Sequence, residues 1–268
     1  MSVDVWDDGT AYELYVGRWS RRIAAEFVRW LALPAGAAWL DFGCGSGALT
    51  QTVLAEASPG LVVGCDQSNG YIDYARHHTP DPRARFVVAS LADVPGVDGG
   101  YDACVSGLVL NFLPAPDVAI ATLASAVRRG GTVAAYVWDY EEGMELMRVF
   151  WDAAVALDPA ARALDEGTRF PLCRPDPLHR LFERCGLQHV SVRAMDVPTP
   201  FLDFDDYWRP FLGGQGPAPG YAMSLSAERR EQLRAAIQQR LRSEADGRIL
   251  LTARAWAVRG IAGMQSAP

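Results

Sequence analysis

The sequence predicts an α/β fold built on a mostly parallel sheet, and three observations predict it. Short apolar runs alternate with helical stretches along the first half of the chain. The first run, residues 38–42, empties into a glycine-rich turn, Asp41-x-Gly43-x-Gly45-x-Gly47, and a helix starts directly after it. The second run, 60–66, ends in an acid followed by Gln67-Ser68, residue types that start helices.

The turn constrains function most. A chain reversal this tight needs residues without Cβ wherever φ is positive or a ligand touches the backbone. The adjoining helix start offers N–H groups to a polar ligand. In parallel sheets ligands bind beyond the carboxyl ends of the strands, so a nucleotide-like cofactor is expected here. The dinucleotide fingerprint G-x-G-x-x-G closes around a pyrophosphate. In this chain the third glycine comes one residue early and Asp41 stands two residues before the first glycine. That pattern suits a ligand bearing an ammonium and a carboxylate, which points to S-adenosylmethionine. Asp66 is placed to accept hydrogen bonds from both ribose hydroxyls, although with Ser68 it also reads as a helix cap.

Further strands are expected at 85–89, leading into Ser90–Pro95, and at 101–106, leading into Gly107–Pro114. After a turn at Arg128–Gly131, a fifth is expected over 132–139. With these blocks in order, the chain resembles the class I S-adenosylmethionine-dependent methyltransferases, in the branch of ubiquinone/menaquinone C-methyltransferase-like enzymes. The resemblance runs from Tyr12–Ser20 to Ala253–Arg259. It implies a Rossmann-like, seven-stranded sheet in the order 3-2-1-4-5-7-6, with helices on both faces and helical lid insertions. The implied organisation is a core with an N-terminal lid helix over 1–139, a lid insertion over 140–174, core again over 175–201, a second lid insertion over 202–248, and a last strand and tail over 249–268.

The same resemblance assigns roles. Asp41, Gly43, Cys44, Gly45 and Gly47 would border the methionine part and the sugar. Asp66 would hold the ribose and Gln67 would lie against the adenine. Ser90 stands where much of the family has an Asp that accepts from the adenine amino group; its hydroxyl can still accept that bond, or Asp93 could be a displaced substitute for the missing acid, and the Leu91 N–H would meet a ring nitrogen. Ser106 would offer its carbonyl to the cofactor ammonium. Tyr15, Arg18 and Trp19 would close over the methionine end.

Composition narrows the partners. Half of the residues are hydrophobic, yet no run approaches the roughly twenty apolar residues of a membrane span, and the N-terminus is acidic where a secretory signal is basic. A cytoplasmic protein without a membrane partner is expected. Net charge is −7 and the 25 basic residues, all Arg, are scattered, so no nucleic acid partner is expected. The Arg bias fits a G+C-rich bacterial genome. The five cysteines, Cys44, Cys65, Cys104, Cys173 and Cys185, form no C-x-x-C pair and read as buried thiols. The four histidines, 77, 78, 179 and 189, read as structural or solvated. No metal is expected, because the fourth strand ends in Ser106 without an acid.

Substrate choice is expected downstream of the fifth strand. A helix is predicted over 145–157 from the recurrence of Leu146, Val149, Phe150 and Ala153. Further elements are a helix over 176–185, a strand over 188–197, a helix over 227–243 and a final strand over 249–258. Candidates for lining an acceptor pocket are Tyr12, Tyr15, Trp19, Asn111, Trp138, Tyr140, Trp151, Arg174, Trp208, Arg209 and Tyr221. Asp139, Tyr140 and Asn111 lead as catalytic candidates because they follow the carboxyl ends of central strands.

The expected chemistry is in-line attack on a sulfonium methyl, in which the protein aligns donor and acceptor and excludes water. A hydroxyl nucleophile needs a base, and none of Asp139, Tyr140 or Asp41 stands out as one. The expected acceptor is a small molecule, aromatic or quinone-like, methylated on carbon or oxygen by a monomer or homodimer. An NAD(P)-binding oxidoreductase is disfavoured by the glycine spacing and by the helix before the first strand. A protein that binds S-adenosylmethionine without transferring methyl stays open because no base is evident.

Overall fold

The computed structural model describes residues 17–214 and 216–263. Helix α1 (Arg18–Leu31) opens the described chain and buries Ile23, Phe27 and Leu31 on one stripe, spaced by one turn. Strand β1 (Ala38–Phe42), helix α2 (Ala48–Glu56), strand β2 (Leu61–Asp66), helix α3 (Asn69–His78) and strand β3 (Ala84–Val88) follow as parallel β–α–β units. Strand β4 (Tyr101–Gly107), helix α4 (Pro116–Ala126) and strand β5 (Val127–Trp138) continue the pattern on the other side of β1. Strands β6 (Leu187–Phe201) and β7 (Ile249–Ala262) complete a seven-stranded sheet in the order β3-β2-β1-β4-β5-β7-β6. This is the mostly parallel Rossmann-like arrangement the sequence predicts.

The apolar strands follow from their place in that order. β1 lies between β2 and β4, and its central residues Trp39 and Leu40 are completely buried, as expected for a parallel strand covered on both faces. β3 ends the order, and its Arg85, Val87 and Val88 are exposed. All five cysteines are free and four are buried.

Four elements depart from the sequence expectation, among them the last strand, which runs past the expected Val258 to Ala262. β5 starts at Val127, because the Arg128–Gly131 stretch is a bulge within the strand, between the pairs Tyr101↔Val127 and Ala103↔Thr132. β6 runs on through Pro198 and Pro200 to Phe201, which an outermost strand tolerates because a missing N–H there breaks no interior ladder. The helix expected over 227–243 stops at Arg240, where Leu241 takes extended backbone.

The chain divides into two compact units. The first holds residues 21–137, 174–195 and 256 onward, and contains β1–β4, most of β5, and helix α7 (Pro175–Arg184). Within it, Arg259 stacks on Trp30 and donates to the Trp30 carbonyl at 3.0 Å.

The second unit holds, of the described residues, 17–20, 138–173 and 196–255. Its helices are α5 (Glu145–Leu157), α6 (Glu166–Arg169), α8 (Phe204–Trp208), α9 (Pro217–Ser224) and α10 (Ala227–Arg240). The period-based prediction for α5 matches its observed ends, and the buried stripe includes Leu146, Phe150 and Ala153. Its core is aromatic: Phe150 stacks on Phe211 with centroids 4.5 Å apart, and the Tyr207 hydroxyl donates to the Leu146 carbonyl at 2.8 Å.

This unit also buries a carboxyl group. Glu166 accepts from the Trp151 indole N–H through Oε2, while its Oε1 has no partner among the described residues. Beside it Arg148 forks onto both oxygens of Asp165. Burial pushes the Glu166 carboxyl up to about 7. A raised acid holds its proton in the folded state over a range where the unfolded chain has released it, so this group contributes stability at low pH that is lost as pH rises through about 7. Glu166→Gln keeps an acceptor for Trp151 and removes the charge. Comparing urea midpoints at pH 5.5 and 8.5 should show the parent losing on the order of 1–3 kcal/mol more than the variant. Equal losses would contradict the assignment.

Candidate functional site

The site-bearing edge of the first unit begins at the carboxyl end of β1. Asp41 is completely buried there, and its Oδ2 accepts from the Thr50 hydroxyl of α2 at 2.7 Å. Its Oδ1 has no partner among the described residues. Burial, reinforced slightly by the charge of Asp66, pushes this carboxyl up to about 7 against the hydrogen bonds from Thr50. A half-satisfied buried carboxyl calls for a donor, and a cationic one relieves the cost most.

The glycine turn is held by its own amides. The N–H groups of Gly43 and Cys44 both donate to the Cys65 carbonyl, at 2.8 and 3.0 Å. Gly45 donates to Asp66 Oδ2 at 3.0 Å and Gly47 to the Cys44 carbonyl at 2.9 Å. Those four donors are spent inside the fold and are not available to a pyrophosphate, which counts against a dinucleotide. What the turn offers instead is bare backbone. Gly43 (φ +71) is packed so closely under Val109 that a Cβ would lie 2.7 Å from it, whereas a Cβ on Gly45 (φ +50) would meet nothing within 4 Å. The open side of Gly45 is a cradle that a ligand can fill.

The remaining edge residues fall as follows. Asp66 ends β2 half-buried and accepts from Gly45 through Oδ2 and from the Ser68 N–H through Oδ1 at 2.9 Å. Ser68, not Asp66, caps α3. Gln67 is exposed. Ser90 caps the short turn Leu91–Asp93: its hydroxyl donates to Asp93 Oδ1 at 2.5 Å and accepts from the Ala92 N–H at 3.2 Å. Asp93 is therefore occupied in holding Ser90, and those bonds lower its carboxyl below the usual range. Ser106, at the end of β4, is buried, both amide atoms of Asn111 are buried, and among the described residues neither the Ser106 hydroxyl nor the Asn111 amide has a hydrogen-bond partner. Leu108 between them has φ +62, a conformation costly for a branched side chain.

The Cys44 side chain packs with Ile72, Ala75 and Phe86, and its thiol donates to the neighbouring Gly45 carbonyl at 3.8 Å. Tyr12 and Tyr15 lie outside the described residues, as does the side chain of Arg18. Trp19 belongs to the second unit, where it packs edge-on against Phe201.

Asp139 and Tyr140 also belong to the second unit. Asp139 Oδ1 accepts from the Glu142 N–H at 3.1 Å, and its Oδ2 lies 3.8 Å from the Arg254 guanidinium. Its backbone N–H donates to the Arg254 carbonyl and its carbonyl accepts from Met144, so the residue organises the 139–144 turn. Tyr140 is buried against Phe170. Thr50 and Val109, which pin Asp41 and Gly43, are missing from the sequence reading. A Thr in the first turn of the helix after the glycine turn is the only sign of the first. Among the described residues no three His, Cys, Asp or Glu side chains converge on a metal site.

Residues 40–135 match the family model described as a methyltransferase domain. The match is to these residues alone, and the cofactor it supports is S-adenosylmethionine. The matched segment contains Asp41, the glycine turn, Asp66, Ser90, Ser106 and Asn111. The tRNA (carboxymethyluridine(34)-5-O)-methyltransferase alkbh8 of Xenopus tropicalis is 29% identical over 175 residues, covering 63% of this chain and 25% of that protein. The trans-aconitate 2-methyltransferase of Variovorax paradoxus is 30% identical over 120-odd residues, covering 45% of this chain and 46% of that protein. The chain thus spans between a quarter and a half of these curated relatives. A candidate methyltransferase from Bacillus halodurans C-125 shares the fold with a TM-score of 0.59 at 12% identity, over 90% of this chain and 99% of that one.

The residues of the methyltransferase domain fit that cofactor. An ammonium matches the unpartnered Asp41 oxygen, and the open face of Gly45 admits a sugar or thioether chain. Asp41 must be ionised to hold a cation best, so S-adenosylmethionine affinity should rise between pH 5.5 and 8.5, and Asp41→Asn should flatten that profile and weaken binding about tenfold or more, measured by calorimetry. Gly45→Ala should fold with a loss of about 1 kcal/mol, the cost of a positive φ, yet weaken S-adenosylhomocysteine about tenfold because its methyl fills the cradle. Unchanged affinity in Gly45→Ala would mean the ligand lies elsewhere.

Proposed function

We propose that this chain transfers the methyl group of S-adenosylmethionine to a small-molecule acceptor, aromatic or quinone-like, on carbon or oxygen. The observation that carries the reading is the β1–β4 edge: a turn with a bare, open Gly45 beside a buried carboxyl with a free oxygen. When bound, S-adenosylmethionine supplies an electrophilic methyl on a sulfonium. In this reading Asp41, the backbone of Gly43–Gly47 and the carbonyl of Ser106 hold the methionine end, with Tyr15, Arg18 and Trp19 closing over it. Asp66 holds the ribose, and Gln67, Ser90 and Leu91 border the adenine.

Among the proposed catalytic residues, Asn111 is the best placed to orient an acceptor, since its amide offers two donors and an acceptor oxygen with no partner among the described residues. Asp139 holds the turn that carries Tyr140, whose phenol would align or deprotonate the nucleophile. The −7 net charge without a basic stripe favours a small molecule over tRNA, so among the relatives the trans-aconitate enzyme is the better guide to acceptor size. Among the described residues no helix is long and apolar enough to cross a membrane.

Transfer of labelled methyl from S-adenosylmethionine to phenols, quinols and small carboxylic acids, run beside bulk tRNA, tests this. Product is expected with small aromatic acceptors, and Asn111→Ala should lower turnover about tenfold to a hundredfold while leaving S-adenosylhomocysteine affinity within about threefold. Methylation of tRNA alone would overturn the acceptor class. Tight cofactor binding with no turnover across the panel would favour a non-catalytic binder, the reading supported by the engagement of both Asp139 oxygens.

A further inference from the structure

Helix α6 (Glu166–Arg169) is a single turn, too short to be stable by itself, so its placement is set by the side chains that tie it down. Two acids at its start attach it to α5. Asp165 caps it, accepting from the Gly167 N–H at 2.9 Å, and takes the guanidinium of Arg148 on both oxygens. Glu166, only 2% exposed, accepts from the Trp151 indole N–H, and its other oxygen has no partner among the described residues. Arg148 and Trp151 stand one turn apart on α5, so the two anchors share a face.

What α6 carries is the surroundings of Tyr140. Gly167 packs so closely on the turn after β5 that a Cβ there would lie 2.9 Å from the Tyr140 carbonyl oxygen and 3.1 Å from Glu141 Cα. Phe170, whose N–H closes the helix on the Glu166 carbonyl at 2.9 Å, sets its ring 5.5 Å from that of Tyr140. The first turn of α6 thus meets the backbone of Tyr140, and its C-terminal end meets the buried phenol ring. A rotation of α6 moves both contacts together.

Apolar packing alone would hold α6 against α5 at less cost. A leucine in place of Glu166 would bury apolar surface, whereas the carboxyl is left half-satisfied away from water. What the acid supplies is direction: a hydrogen bond to one indole N–H fixes the rotation of the helix, which apolar contact does not. With Arg148 holding Asp165 and Trp151 holding Glu166, two consecutive residues are pinned and the orientation of the turn is set. We propose that Glu166 is a positioning residue for Tyr140, acting through α6 to hold the phenol in the place where it aligns the methyl acceptor. The inference rests on the role given to Tyr140 in methyl transfer, and every residue it invokes lies between 138 and 173 of the second unit.

Two measurements on the full chain test it, and one of them needs no acceptor. Nitration by tetranitromethane, followed tyrosine by tyrosine by mass spectrometry, reads how firmly each phenol is held. Glu166→Leu and Trp151→Phe each remove the bond and should raise the rate at Tyr140 about tenfold, while Tyr207, also buried in this unit, keeps the parent rate. Glu166→Gln, which keeps an acceptor for Trp151, should leave both tyrosines at the parent rate. In turnover, Glu166→Leu should lower kcat about tenfold with the acceptor KM within about threefold, Glu166→Gln should restore kcat, and in a Tyr140→Phe background Glu166→Leu should cost nothing further. An unchanged rate at Tyr140 in Glu166→Leu or Trp151→Phe, a rise at Tyr140 and Tyr207 alike, a Glu166→Gln variant as impaired as Glu166→Leu, or additive losses in the double variant would each overturn the proposal. Should Glu166→Leu not fold, Trp151→Phe and Glu166→Gln decide it by the same readings. Absence of turnover in the parent would count against the methyltransferase reading instead, and the nitration comparison would still decide whether Glu166 holds Tyr140.

Discussion

The buried carboxyl of Asp41 is the constraint on which the cofactor edge depends. It sits in the middle of the sheet, at the end of a strand flanked on both sides, where water cannot reach it. Thr50 satisfies one oxygen and thereby ties the first helix after the turn to the strand before it. The second oxygen is left for something that arrives from outside. A fold normally avoids such a group, since a buried polar atom without a partner costs free energy, and sites of function are where the cost is tolerated.

Around that carboxyl, the turn is rigid for reasons of its own. The Cys65 carbonyl collects two consecutive amides and Asp66 a third, so the end of β2 clamps the turn that follows β1. Val109 closes one side of Gly43, and the neighbouring Gly45 is left bare. The amides are consumed in shaping the turn, so recognition must come from contact with bare backbone and from the carboxylates of Asp41 and Asp66. That division explains in physical terms why the third glycine can come early: no pyrophosphate has to be wrapped.

The second unit solves a different problem. Its interior is aromatic, with Phe150, Trp151, Tyr207, Phe211 and Tyr221 in mutual ring contact or one step apart. Into that apolar volume it places the ionisable Glu166, with Arg148 and Asp165 at its margin. Tyr207 and Trp151 spend their polar atoms on local partners, as buried Tyr and Trp commonly do. Trp151 and Trp208, read from sequence as pocket residues, are core residues here.

Local pattern determined the sheet order through resemblance, the α5 boundaries through helical period, and the importance of Asp41, Gly43, Gly45 and Asp66 through their spacing. Those signals are short-range: they depend on residues a few positions apart. What only the tertiary structure decided depends on partners farther apart in sequence: that Thr50 holds Asp41, that Val109 is the reason Gly43 has no room for a side chain, that Cys44 packs against Ile72, Ala75 and Phe86, and that Arg254 engages Asp139. No spacing rule reports such pairs, because burial and hydrogen-bond satisfaction are settled only when the elements pack and each polar atom either finds a partner or is left without one.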